Sequence, residues 1–210
     1  MRNGRNILVT CVLVLAAGVA WAAVAWAADE KKPTDGAPDP AMAEKMMETW
    51  MKMGQPGPQH ETLKALVGKF DADVTMQMMP GMPEEKSKGT EENEMLFDGR
   101  YLSSKYNGEW KGQPFKGHGL WGYDNAKKKF VSLWIDSMST MVMMAEGTAD
   151  ASGKAITVKS ECMCPMTNKP MAMRSTLTIE DADHHTYESW SSMDGSPEHK
   201  SMTIKYTRAK

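Results

Sequence analysis

The sequence predicts a mainly β protein: an antiparallel up-and-down β-barrel of about ten strands, preceded by one or two short N-terminal helices. Three observations carry that expectation. From Phe70 the apolar pattern has a period of two, with Phe70, Ala72, Val74, Met76 and Met78 alternating with Asp71, Asp73, Thr75 and Gln77. That is the pattern of a strand with one buried face. Turn signals then recur at hairpin intervals: Pro80-Gly81, Asp98-Gly99, Asn107-Gly108, Asp124-Asn125, Ser152-Gly153, Asp181-Ala182-Asp183 and Asp194-Gly195. Between these turns there is no long helical stretch of the kind a parallel crossover requires.

In chain order, the first element is an export signal. Arg2 and Arg5 precede an apolar run from Ile7 to Ala28, and Ala25-Trp26-Ala27 sets small residues for cleavage after Ala27. Residues 1–27 therefore read as a cleavable signal peptide, with the periplasm or the extracellular space as the expected destination. The run is also long enough to serve as an uncleaved anchor, but Asp29 and Glu30 beyond it suit a peptidase better. Cys11 lies too early in the run, and lacks the small residue before it, to be a lipidation site. Without Arg2 and Arg5 the basic count falls from 25 to 23 against 27 acidic residues, a net charge of −4. That mild balance gives no reason to expect nucleic-acid or anionic-membrane binding. No second stretch is apolar enough to span a membrane.

Residues 28–38 are Lys, Asp, Glu, Pro and Gly with almost nothing to bury, the composition of a flexible linker. Residues 39–68 form a helical segment. Asp39 is placed as an N-cap and Pro40 at the first helical position, Ala41 to Met53 are strong helix formers, and Gly54 is placed to end them. Met42, Met46, Met47, Trp50, Met51 and Met53 give this helix too much apolar surface to stay solvated, so it is expected to pack over one barrel mouth or dock another protein. Gln55-Pro56-Gly57-Pro58 breaks the chain. A second helix then runs from Gln59 or His60 to Val67, with Leu63, Leu66 and Val67 on one side, and stops at Gly68.

Residues 69–210 form the barrel domain. After the first strand, β-forming residues concentrate in 89–97, 100–107, 116–123, 128–136, 140–149, 154–164, 171–180, 184–192 and 198–208. A meander of that many strands has two edges to hide, and closure removes both.

The residues also resemble a known family. Pro56-Gly57-Pro58-x-His60-x-x-Leu63-x-x-Leu66-x-Gly68 is followed by Gly99-Arg100-Tyr101-Leu102. Then come Gly112-x-Pro114-Phe115-x-Gly117-x-Gly119-x-x-Gly122-Tyr123-Asp124-Asn125, Trp134-x-Asp136 with Ser139-Thr140, Gly147, Gly153, Pro165, Arg174 and Tyr206-x-Arg208. Their order and spacing over about residues 50–208 resemble a bacterial family known only as domain of unknown function 1579. The resemblance implies kinship with the lipocalin and fatty-acid-binding barrels, and hence a lipocalin-like fold. Leu66-Val67-Gly68-Lys69-Phe70 is similar to the helix-then-Gly-x-Trp entry of those barrels, with Phe70 where tryptophan is usual. The family implies no activity.

Sulfur is the most unusual chemistry in the chain. It has 21 methionines, with clusters at Met76–Met82, Met138–Met144, Met163–Met166 and Met171–Met173, and the run Cys162-Met163-Cys164-Pro165-Met166. Cys162 and Cys164 lie two apart on a strand and share a face with Ile156 and Val158, the expected interior. Their Cα atoms would be roughly 6.6 Å apart on a straight strand, with parallel side chains, which suits a disulfide poorly. Thiolate and thioether are soft ligands that favour Cu(I), so Cys162, Cys164 and Met166 are the candidate metal ligands and copper the one possible cofactor. Plain core packing explains the same residues and leads.

His60, His118, His184, His185 and His199 show no chelating spacing; His118 or His185 is the candidate for a single inward histidine. No G-x-S-x-G, H-E-x-x-H, P-loop or dinucleotide fingerprint is present. Glu92, Glu94 and Asp136 are candidate interior acids, with a hydrogen-bonded structural role favoured for Asp136. Trp121, Tyr123, Trp134 and Asp136 are the expected lumen lining, with Trp121 and Tyr123 on the face of Gly117 and Gly119. Arg174 falls opposite the Met171-Met173-Ser175-Leu177-Ile179 face, and joins the ligand-binding set only if that facing is inverted. The leading expectation is a non-enzymatic barrel binding a small, mostly apolar molecule in its lumen. Soft-metal binding through the sulfur cluster and lipocalin-like catalysis on a hydrophobic substrate stay open beside it.

Overall fold

A computed structural model of the chain describes residues 39–164, 167–193 and 195–210. The expected signal peptide and linker lie outside the described residues, as do Pro165, Met166 and Asp194. Two helices, α1 (Pro40–Met53) and α2 (Pro58–Lys64), precede ten strands. The strands are β1 (Gly68–Met76), β2 (Glu85–Leu96), β3 (Tyr101–Trp110), β4 (Gln113–Asp124), β5 (Lys129–Asp136), β6 (Met143–Ala149), β7 (Ala155–Met163), β8 (Pro170–Ile179), β9 (His184–Met193) and β10 (His199–Arg208). They close into one barrel in chain order, with β1 joined to both β2 and β10. Every neighbouring pair is antiparallel, so closure leaves no unpaired edge.

The strands fall where the two-residue alternation and the turn signals put them, with one correction. Asn107-Gly108 is not a turn. Both residues lie inside β3, and the β3–β4 hairpin turns instead at Lys111-Gly112, with φ of 51° and 75°. Two consecutive positive φ values make the primed turn whose twist suits paired strands. Gly108 is needed for packing: it stands opposite Gly89 of β2, and a Cβ on it would meet Tyr106 Cε1 at 2.8 Å.

Two apolar clusters line the barrel interior. One closes the α2 end, where Leu63 (0% exposed) and Leu66 (3% exposed) pack with Leu102, Phe130, Ile156 and Leu177. The other runs along β1, β3 and β10 through Phe70, Val74, Tyr106, Ile204 and Tyr206. Arg208 clamps the closed end. Its Nη1 donates to Val67 O at 2.8 Å and its Nε to Ala182 O at 2.9 Å, while the guanidinium lies over the Phe70 ring at 4.5 Å.

The expectation that α1 packs over a barrel mouth is corrected. It buries none of its side chains, and Trp50 is 71% exposed. Its C-terminal end is tied to the barrel by Arg100 Nε donating to Gly54 O at 2.9 Å and Asn125 Nδ2 donating to Met53 O and Gln55 O. The reason is occupancy: α2 with Leu63 and Leu66 already covers this end.

Candidate functional site in the barrel lumen

Below the α2 plug the barrel is not filled. A cavity of about 460 Å³ extends from Leu66 and Leu102 to Met78, Trp110 and Met138 at the opposite mouth. That is within the range of small-molecule sites. Its walls are mostly apolar and aromatic, with Phe115, Trp121, Trp134, Val158, Leu177 and Ile204 contributing.

One sector of the wall is polar. Glu91, only 8% exposed, projects from β2 beside Asn93, whose Nδ2 donates to Glu91 Oε1 at 2.9 Å and to Leu66 O at 3.1 Å. Both amide hydrogens are thereby used, which fixes the amide orientation. Asn93 Oδ1 is left buried with no partner. The His185 ring stacks on Tyr206 at 4.3 Å, and its Nε2 lies 3.9 Å from Glu91 Oε1. Burial first, and then the Glu91 charge, push the Tyr206 phenol well above its ordinary pKa. Burial raises Tyr106 and Tyr187 as well. All three phenols thus stay protonated donors at neutral pH.

The charge of the lining is one-sided. Glu91, Glu109 and Asp136 contribute carboxyl groups, whereas no Lys or Arg lines the cavity among the described residues. An anionic group entering it would meet acidic side chains with no Lys or Arg to offset them among the described residues, at substantial cost in a low dielectric.

The residues singled out from sequence separate into three places. Trp121, Trp134 and Asp136 line the cavity. The Trp134 indole lies over β4, where a Cβ on Gly117 would collide with its Cζ2 and Cη2 and one on Gly119 would sit 3.3 Å from Cε3. The room beside those glycines is therefore taken by Trp134. Asp136 Oδ2 accepts from Trp134 Nε1 at 3.1 Å, and Oδ1 accepts from the Met138 and Ser139 amides, so the acid ties the indole to the β5–β6 loop. Tyr123 packs under α2, edge-on to His60 and Phe130. There Gly57 N–H donates to His60 Nδ1 at 2.9 Å, and burial lowers the His60 pKa against the opposing effect of backbone bonds at Gly57 and Tyr123.

Arg174 lies on the outer wall, as the alternation of β8 requires. Its guanidinium donates to Glu198 at 2.8 and 3.0 Å and covers the Trp190 ring at 3.9 Å. The inverted facing under which Arg174 would meet a ligand does not occur. Of the two candidate inward histidines, His185 is inside and His118 is outside, where its Nε2 lies 3.1 Å from Ser103 Oγ. Glu92 and Glu94 are also outside, paired with Lys69 and Lys105. Cys162 and Cys164 are not joined by a disulfide, and Cys162 Sγ lies 3.7 Å from Met173 Sδ. Met166 lies outside the described residues.

Sequence reasoning therefore chose the wrong parity on β2 and missed Glu91, Asn93 and Tyr206. No apolar alternation marks the inner face of β2. A signal was nonetheless present: a hairpin folded about Pro80-Gly81 puts Phe70 opposite Glu91, the pairing that forms. Since Phe70 is inward, Glu91 must be.

Solved structures share this architecture. Rv2717c from M. tuberculosis matches with a TM-score of 0.56 and 15% identity, over 74% of this chain and 100% of that chain. The S-type phycobiliprotein lyase CPES from Guillardia theta matches with a TM-score of 0.50 and 11% identity, over 71% of this chain and 92% of that one. At such identities the likeness concerns the fold. No curated protein matches in sequence. A family model described as "Protein of unknown function (DUF1579)" matches residues 55–208.

Proposed function

The chain belongs to the DUF1579 family, whose function is unknown, and we propose its function from the lumen: it is an exported, non-enzymatic protein that binds one small, mostly apolar molecule inside the barrel. The molecule is neutral or cationic and presents a hydrogen-bond donor to Glu91. The observation that carries this reading is the unfilled cavity of about 460 Å³ with buried Glu91 and Asn93 in its wall and, among the described residues, no Lys or Arg in its lining. Apolar walls supply affinity, and the few polar groups fix orientation. Export rests on the residue pattern of 1–27. The likeness to lipocalin-type barrels supports a binding role and does not supply a ligand.

Two fluorescent probes of one shape test the reading. 1-Aminoanthracene, an apolar ring system with an amine donor, is expected to bind one-to-one with a blue-shifted emission. Anthracene-9-carboxylate is expected to bind at least about tenfold more weakly, since like charges in a desolvated site oppose binding by more than about 1.4 kcal/mol. Glu91→Gln narrows that gap. Equal affinity for the two probes, or saturable binding of neither, would refute the reading.

A further inference from the structure

The lumen leaves the sulfur unexplained. At the mouth away from α2, hairpin ends from around the barrel bring thioethers together. Met76 and Met202 face each other across β1 and β10, and Met78, Met138 and Met143 line the same opening. In one sector the sulfurs become close neighbours. Cys162 of β7 stands directly opposite Met171 of β8, which stands opposite Met193 of β9. Met173, one inward position deeper on β8, brings its Sδ to 3.7 Å from Cys162 Sγ.

We propose that Cys162, Met171 and Met173 form a binding site for a single monovalent soft metal ion, Cu(I), at the rim of the barrel. The chemistry and the geometry agree. One thiolate and two thioethers are a donor set that selects Cu(I) over harder ions. Taking a metal–sulfur bond of about 2.3 Å, as for zinc thiolates, two sulfurs on one trigonal ion lie about 4 Å apart. The Cys162–Met173 separation already approaches that value. Directly opposed residues on neighbouring strands have Cβ atoms about 4.5–5.5 Å apart, within reach for the flexible Met171 side chain. In the free protein burial, and then the nearby Cys164, push the Cys162 thiol up, so it is protonated. On binding, the S–H bond breaks, its proton goes to solvent and a Cu–S bond forms; copper stays monovalent and no electron moves. Met173 also faces the lumen, which gives the ion a path through the mouth.

The site shares Met173 with the lumen wall but does not rest on the lumen ligand, and its test reads copper alone. The chain, purified as its host processes it, is titrated anaerobically with Cu(I) against a chromophoric Cu(I) chelator. The expected result is one Cu(I) held per chain. Cys162→Ser abolishes retention, and Met173→Leu, close to isosteric, weakens it by about tenfold or more. Met202→Leu, on β10 two strands from β8, leaves it unchanged. X-ray absorption of the loaded protein is expected to show a shell of sulfur only. Failure to compete with the chelator, retention by Cys162→Ser, or equal losses for Met173→Leu and Met202→Leu would overturn the proposal. Unchanged far-ultraviolet spectra of the variants separate lost binding from lost folding.

Discussion

Gly117→Ala is the substitution whose outcome the packing of the lumen fixes most sharply. Gly117 sits on β4 beneath the Trp134 indole, and the nearest atoms to an added Cβ are all from that ring: Cζ2 and Cη2 in collision and Cε2 at 3.1 Å. Two effects of opposite sign follow. Replacing a strand glycine by alanine reduces the freedom of the unfolded chain and favours folding by about 0.5–1 kcal/mol. Forcing a methyl into a filled position costs about 1–3 kcal/mol. Trp134 cannot rotate away freely, because its Nε1–H is held by Asp136. The clash wins, and the variant is expected to lose about 1–2 kcal/mol and several degrees of melting temperature. In a Trp134→Leu background the colliding atoms are absent, and the same Gly117→Ala change should become neutral or stabilising by up to about 1 kcal/mol. Urea denaturation of the wild type, both single variants and the double variant gives the coupling. An equal cost of Gly117→Ala in both backgrounds would show that Trp134 does not occupy the room over β4.

Other consequences are as direct. Ile156 is fully buried in the cluster that closes the α2 end, and Ile156→Ala should lower the free energy of urea unfolding by about 2–5 kcal/mol. Arg208→Ala removes guanidinium bonds to Val67 O and Ala182 O and uncovers Phe70; a loss of about 1–3 kcal/mol by the same measurement is expected. His60 has a folded pKa depressed mainly by burial. As pH falls through the unfolded value near about 6.5, the unfolded state takes up a proton before the native state does, so stability is complete above that pH and declines below it. His60→Asn should flatten the difference in unfolding free energy between pH 7.5 and 5.5, and an unchanged difference would remove His60 as its source.

The barrel was legible because its first strand alternates cleanly and its turns carry strong residue signals. Where one signal failed, at Asn107-Gly108, a glycine was needed beside the Tyr106 ring rather than in a turn. The α1 methionines were readable as apolar but not as unpartnered, because that depends on α2 already closing the nearer end. In the lumen, Trp121, Trp134 and Asp136 were reached through β4 and β5, whose inner faces are aromatic. Glu91 was not, because β2 is polar on both faces and its parity is set by pairing with Phe70 rather than by its own residues. The Cys162–Met173 contact is likewise a cross-strand fact; the sequence shows both residues and no register between them.

The most direct test of the central claim is native mass spectrometry of the chain recovered from the compartment where its own host places it. A one-to-one complex with a small organic molecule is expected. That mass should be lost in Ala145→Phe, which fills the lumen, and retained in Trp190→Phe, which alters the outer wall. A bare polypeptide mass from a chain that also fails to take up 1-aminoanthracene, or an adduct that survives Ala145→Phe, would contradict it.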